Sequence, residues 1–137
     1  MTSRHMALGH LRRAERILGE AERLRADGDF GLVVRRCQEA VELALKAALR
    51  AAGAEVPKVH DVSGALRQNA ARLHPAVAAE LDTLVSTSRR LREEREIAFY
   101  GDEETDTTSQ DLFSAPDAET ALGLARHVVT LCRRAIG

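Results

Sequence analysis

The chain reads as an all-α protein, an up-down antiparallel bundle of four long helices plus one short helix. Three observations predict this. Ala, Leu, Arg and Glu dominate the composition, with only nine Gly and three Pro, which favours long helices. Apolar residues recur at three- and four-residue steps, the period of an amphipathic helix. Alternating runs of strand formers are missing. The 137 residues suit one domain, expected over 7–137. Residues 1–6 read as a disordered N-terminus or a cloning remnant, so His5 carries no functional weight.

The first periodic run starts near Ala7, with Leu11, Ala14, Ile17, Leu18, Ala21 and Leu24 on one face. Gly28 ends it, and a turn of only Asp27, Gly28 and Asp29 sends the next helix back antiparallel. That second helix, Phe30 to Ala52, is the most apolar. Its stripe of Val33, Val34, Cys37, Ala40, Val41, Ala44, Leu45, Ala48 and Leu49 is too wide for one contact surface, which predicts a central place in the bundle. Along one edge stand Gln38, Glu42 and Lys46 at i+4 steps, with Glu42 placed to pair with Lys46.

Gly53 stops the second helix, and Pro57 stiffens the connection that follows. Asp61 is expected to cap a short helix running to Leu73. Pro75 suits the first turn of a fourth helix, Ala76 to Phe99. Its stripe of Val77, Leu81, Leu84, Ser88, Leu91, Arg95 and Ala98 turns polar toward the C-terminal end. Gly101 breaks the pattern, and the acidic segment 102–108 is expected as a mobile loop. Ser114 with Pro116 and Asp117 has the form of a capped start for the last helix.

Composition sets limits on function. Twenty Lys and Arg against 21 Asp and Glu leave a net charge of −1, so bulk charge gives no nucleic-acid footprint. Cys37 and Cys132 fall within apolar stripes and read as buried small hydrophobes rather than a disulfide. The five His are scattered without ligand spacing, so no metal site is expected. With no Gly-rich phosphate loop, no cofactor is expected either. No apolar run reaches membrane length, and the N-terminal segment lacks the apolar core of a secretory signal. A cytoplasmic, non-membrane protein is expected.

Three patterns stand together in order: Gln38-Glu39-Ala40-Val41-Glu42-Leu43-Ala44-Leu45-Lys46-Ala47, then Pro57-Lys58-Val59-His60-Asp61, then Arg89 to Asp102, which contains Arg92, Arg95 and Tyr100. In this order and spacing the chain resembles the HEPN family of higher eukaryote and prokaryote nucleotide-binding domains. The resemblance implies an antiparallel helical bundle, often a homodimer, commonly encoded beside a minimal nucleotidyltransferase. Many members are toxins of toxin–antitoxin pairs that cleave RNA without a metal, using an Arg followed four to six residues later by a His. This chain departs from that pattern. Tyr100 and Phe99 stand where a His would follow Arg95 or Arg92, and none lies between His74 and His127. Arg stays protonated and Tyr titrates near pH 10, so neither replaces the imidazole as a base at neutral pH.

Three readings follow. The first is a HEPN module that partners or regulates a minimal nucleotidyltransferase, with a groove around Arg92, Arg95 and Tyr100 contacting nucleotide or RNA phosphate. The second is a metal-independent RNA endonuclease toxin in which Arg95 and an unusual partner act as the catalytic pair. The third is a dimeric scaffold with no ligand. Arg95 interrupts an apolar stripe, which fits either a cation facing a groove or a packed stem whose head pairs with a Glu. Tyr100 either closes the bundle with its hydroxyl in water or contacts a nucleotide; the resemblance adds acceptance of a nucleotidyl group. His60 beside Asp61 invites a catalytic-pair reading, against which stands a capping Asp and a His packed at the helix junction. A homodimer is expected from the breadth of the second helix's stripe.

Overall fold

The computed structural model describes residues 2–137. Seven helices follow one another among them: α1 (Thr2–Asp27), α2 (Phe30–Ala51), α3 (Ser63–Gln68), α4 (Pro75–Ala78), α5 (Leu81–Tyr100), α6 (Ser109–Leu112) and α7 (Ala115–Ile136). The four long ones form the bundle. Side-chain pairs fix their directions. Along α1, Arg4, Glu15, Glu22 and Arg25 meet Ile136, Arg133, Arg126 and Glu119 of α7, one sequence rising as the other falls. His10 and Glu20 of α1 likewise meet Arg50 and Arg36 of α2. The order is therefore up, down, up, down.

α2 sits at the centre, packed against α1, α5 and α7. Its Val33, Val41, Leu45 and Leu49 are buried, as are Leu11, Leu84, Leu91 and Leu122 from the surrounding helices. Each such Leu contributes roughly 1.5–3 kcal/mol by leaving water. The width of the α2 stripe, which suggested a second copy, is thus used up inside one chain. No helix among the described residues is long and apolar enough to cross a membrane.

The short elements differ from the expectation. Of the presumed remnant at 1–6, Met1 lies outside the described residues, and α1 begins at Thr2 rather than near Ala7. Arg4 ties this end down by donating to the carbonyl of Ile136 at 2.9 Å. α3 stops at Gln68, not Leu73, where the Asn69 amide donates back to the Ala65 carbonyl at 2.8 Å. Val62, not Asp61, holds the N-cap position of α3, though Asp61 still accepts the Ser63 amide at 2.9 Å.

The expected fourth helix is divided into α4 and α5. Glu80 leaves helical geometry at φ −111° and ψ 21°, its amide making a tighter three-residue bond to Val77. Its carboxylate takes His127 of α7 at 2.5 Å. α6 was not anticipated. Thr108 caps it through the Asp111 amide. The acidic segment closes on itself, Asp102 and Thr107 exchanging backbone bonds of 2.8 and 3.0 Å. Gly101, at φ 77°, makes this reversal possible, because a Cβ there would stand 2.5 Å from the Thr107 carbonyl oxygen. α7 starts as expected, with Ser114 and Asp117 forming a reciprocal capping box.

Candidate functional site

The polar edge of α2 builds the site. Gln38, Glu42 and Lys46, one turn apart, become a continuous hydrogen-bonded line. Lys46 Nζ donates to Glu42 Oε2 at 2.9 Å, and Gln38 Nε2 donates to Glu42 Oε1 at 2.9 Å. Gln38 is only 2 % exposed, so its amide needs partners at both ends. The second partner is Arg95 of α5, whose Nε donates to Gln38 Oε1 at 3.0 Å.

His60 joins the same line. It is half-exposed on the connection between α2 and α3, and its Nδ1 lies 2.9 Å from Glu42 Oε1. Burial pushes the Glu42 carboxyl up, but hydrogen bonds from Lys46, Gln38 and His60, with the charge of Lys46, outweigh it and hold the carboxyl below its ordinary value. Glu42 is therefore an ionised, acceptor-only group. The proton in the His60 bond sits on Nδ1, and in the neutral ring Nε2 keeps its lone pair.

Arg95 is held on three sides. Besides Gln38 it reaches Glu96 Oε1 through Nη1 at 3.1 Å, and its own carbonyl accepts Arg35 Nη1 at 3.1 Å. Arg35 in turn lies over the Phe99 ring, 4.8 Å from its centroid, a cation–π contact that braces the end of α5. The Nη2 of Arg95 has no hydrogen-bond partner among the described residues. The side chain thus pairs with a neighbouring Glu and also lines a groove.

That groove, about 430 Å³ in volume, runs between α1, α2 and α5. Arg13, Arg36, Arg95, Glu20, Glu39, Glu42 and His60 line it. Arg36 pairs with both Glu20 and Glu39, and Lys46 pairs with Glu42. Arg13 and the outer edge of Arg95 have no such partner among the described residues.

The structure separates the three residues of the sequence-derived groove. Arg95 lines it. Arg92 is exposed on α5 and does not; its charge, with that of Arg89, helps the Ser63 hydrogen bonds hold Asp61 below its ordinary value against burial, which raises it. Tyr100 is 63 % exposed and packs edge-on to Phe99, ring centroids 4.8 Å apart at 82°. It lines a different hollow of about 330 Å³ at the end of α5, beside Asp29, Ser109 and Gln110.

His60 does not pair with Asp61. Its partner is Glu42, a contact sequence reasoning missed. The one available signal was the short run from Gly53 to Asp61, which keeps His60 near the second half of α2. Cys37 and Cys132 are buried and free, and burial pushes both thiols up to about 12. Among the described residues no three His, Cys, Asp or Glu side chains gather as a metal-ligand set.

Comparison with known proteins agrees with this architecture. No curated protein and no solved structure matches the chain. The sequence model of one family, described as the HEPN domain, matches residues 7–135. That span reaches into all four long helices and takes in the Gln38–Glu42–Lys46 line, His60 and Arg95, and the chain belongs to the HEPN domain family.

Proposed function

We propose that this HEPN domain holds the phosphate of a nucleotide or an RNA strand in the groove at Arg95 and Arg13, and that it serves a minimal nucleotidyltransferase as partner or regulator. The observation that carries the reading is the fixed guanidinium of Arg95. A side chain bound along its Nε edge by a buried amide presents the rest of its donors in one orientation, which is what bidentate phosphate contact requires. A surface ion pair needs no such support.

Arg92, exposed one turn earlier on α5 and outside the groove, is a further cation for a longer strand. Tyr100, exposed at the far end of the same helix, offers a hydroxyl to an incoming nucleotidyl group without disturbing the core. A second copy of the chain, expected of this family, would cover the exposed Ile97, Phe99 and Leu112. A plain scaffold has no use for a guanidinium held in place by Gln38 and Glu96 with its Nη2 left free.

The reading is tested by titrating a short fluorescein-labelled single-stranded RNA, and separately ATP, into the protein at low salt. Saturable binding that weakens as salt rises is expected. Absence of binding to either probe would remove the reading and leave the scaffold. Light scattering on the same sample reports the dimer, and a monomer mass would contradict it. Co-purification with a nucleotidyltransferase encoded beside the chain tests the partnership.

A further inference from the structure

A net charge near zero conceals an uneven distribution along the chain. Residues 96–125 hold eight Asp and Glu and no Lys, Arg or His, so the rest of the chain carries the excess of cations. Six of the eight, at positions 102–117, make no ion pair among the described residues; of the others, Glu96 reaches Arg95 and Glu119 reaches Arg25. The fold gathers these carboxylates at one end of the bundle, where α5 stops, α6 lies and α7 begins. Such an unpaired acidic pole repels phosphate and draws cations toward it.

Beside the pole lies the hollow of about 330 Å³ between the start of α2, the end of α5 and α6, and no Lys, Arg or His lines it. Asp29 gives it a half-buried carboxylate. Its Oδ1 accepts the Leu32 amide at 3.3 Å, and no cation pairs with it among the described residues. The same bond answers the positive end of α2, which would otherwise favour an anion. Tyr100 contributes a ring that is 63 % exposed, and Ser109 and Gln110 add a hydroxyl and an amide. A carboxylate beside an aromatic ring holds an organic cation, the first by its charge and the second by its quadrupole. The chain already uses the aromatic half of this device next door, where Arg35 stands 4.8 Å from the centroid of Phe99. For Tyr100 it supplies no such cation among the described residues.

We propose that this hollow receives an arginine side chain from a cationic segment of a partner protein. The guanidinium meets the Asp29 carboxylate and lies against the Tyr100 ring, while further cations of the segment face the acidic turn at 102–106. Arginine fits better than lysine, because its planar, weakly hydrated fork both stacks on an aromatic ring and pairs with a carboxylate through two N–H bonds. An RNA strand fits poorly, since its phosphates would face the unpaired carboxylates. The inference goes beyond phosphate binding and does not depend on it, because Arg95 lines a separate groove. Ile97 and Leu112 lie outside the hollow and remain available to a second copy.

The experiment titrates the full chain, at low salt, into a fluorescein-labelled synthetic peptide in which arginines alternate with glycine and serine. Parallel peptides carry lysine or uncharged citrulline in place of arginine. Saturable binding of the arginine peptide is expected, with weaker binding of the lysine peptide and none of the citrulline one. Asp29→Asn removes the charge and keeps the cap of α2, since Asn caps as well as Asp. Tyr100→Ala changes an exposed side chain and leaves the core whole. Each variant, folded by circular dichroism, should bind the arginine peptide more weakly by roughly 3- to 30-fold, and Asp29→Asn should bind RNA no less tightly than the parent. Peptide bound without RNA supports the proposal and removes only the groove reading. No binding of the arginine peptide, equal binding of the citrulline peptide, or binding undiminished in both variants overturns it. RNA binding weakened by Asp29→Asn would assign the hollow to nucleic acid and overturn it as well.

Discussion

The Nε of Arg95 donates to the side-chain oxygen of Gln38 at 3.0 Å, across the interface of α5 and α2. Gln38 is otherwise enclosed, and its amide nitrogen is already committed to Glu42. One hydrogen bond therefore joins the orientation of a groove-lining cation to the interior of the bundle. The two residues are 57 positions apart, so only the folded chain makes the contact.

This coupling is measurable. Gln38→Ala should destabilise the fold by about 1–3 kcal/mol, because it leaves polar groups unpaired at a buried site. In a double-mutant cycle with Arg95→Ala, urea melts should give a coupling on the order of 0.5–3 kcal/mol. Additive losses would mean that the two side chains act independently.

A second prediction concerns the core. Leu45 is fully buried among residues of its own chain, and Leu45→Ala should cost about 2–5 kcal/mol through lost transfer energy and the cavity left behind. Because the stripe is covered within the chain, the loss should be the same at low and high protein concentration. A loss that disappears as the protein is concentrated would place Leu45 at an interface between copies.

Acid should loosen the Glu42 network in a specific range. The folded carboxyl lies below its unfolded value, so its stabilisation is fully present above the ordinary glutamate range. It is lost as pH falls through that range toward the depressed folded value. Melts between neutral and acid pH should show the parent losing more stability than Glu42→Gln, in which the titrating group is gone. Parallel curves would contradict the assignment.

Gly31 tests whether the two hollows are separate. A Cβ at this position would meet Ser109 of α6 and stand 2.7 Å from the carbonyl oxygen of Ala98. Gly31→Ala should therefore displace α6 and cost about 1–3 kcal/mol. The change should alter Tyr100 fluorescence, since its hollow is shared with Ser109, while phosphate binding at Arg95 persists. Loss of both together would mean that the hollows form one site.

Much of the fold was legible in the sequence because its signals are local. Three- and four-residue periodicity marked the four long helices, Gly28 and Gly53 marked two of their ends, and Ser114 with Asp117 marked the start of α7 to the residue. The divided fourth helix was not legible. Val77, Leu81 and Leu84 keep a helical period across the break, and the group that holds Glu80 there, His127, comes from the far end of the chain. α6 was missed for a similar reason, since it rests on close approach to Gly31 rather than on any stripe of its own.

The candidate site divides the same way. Gln38, Glu42 and Lys46 were readable as a line because helical spacing places them on one edge. Arg95 was readable because it interrupts an apolar stripe. Its separation from Tyr100 was not readable, because five positions carry Tyr100 past the groove and into the hollow it shares with Phe99. The pairing of His60 was hidden too. Asp61 was its neighbour in sequence, yet that carboxylate turns to the Ser63 amide and leaves the imidazole to Glu42.

The central claim is that Arg95 is a fixed phosphate contact. Its most direct test is anisotropy of the labelled single-stranded RNA with the parent, Arg95→Lys and Arg95→Ala, each checked for native helicity by circular dichroism. Loss of a charge-assisted contact of about 1.5–3 kcal/mol corresponds to affinity weakened on the order of 10- to 100-fold in Arg95→Ala. Arg95→Lys should fall between, keeping the charge without the fork. Folded variants that bind the RNA as tightly as the parent would contradict the account.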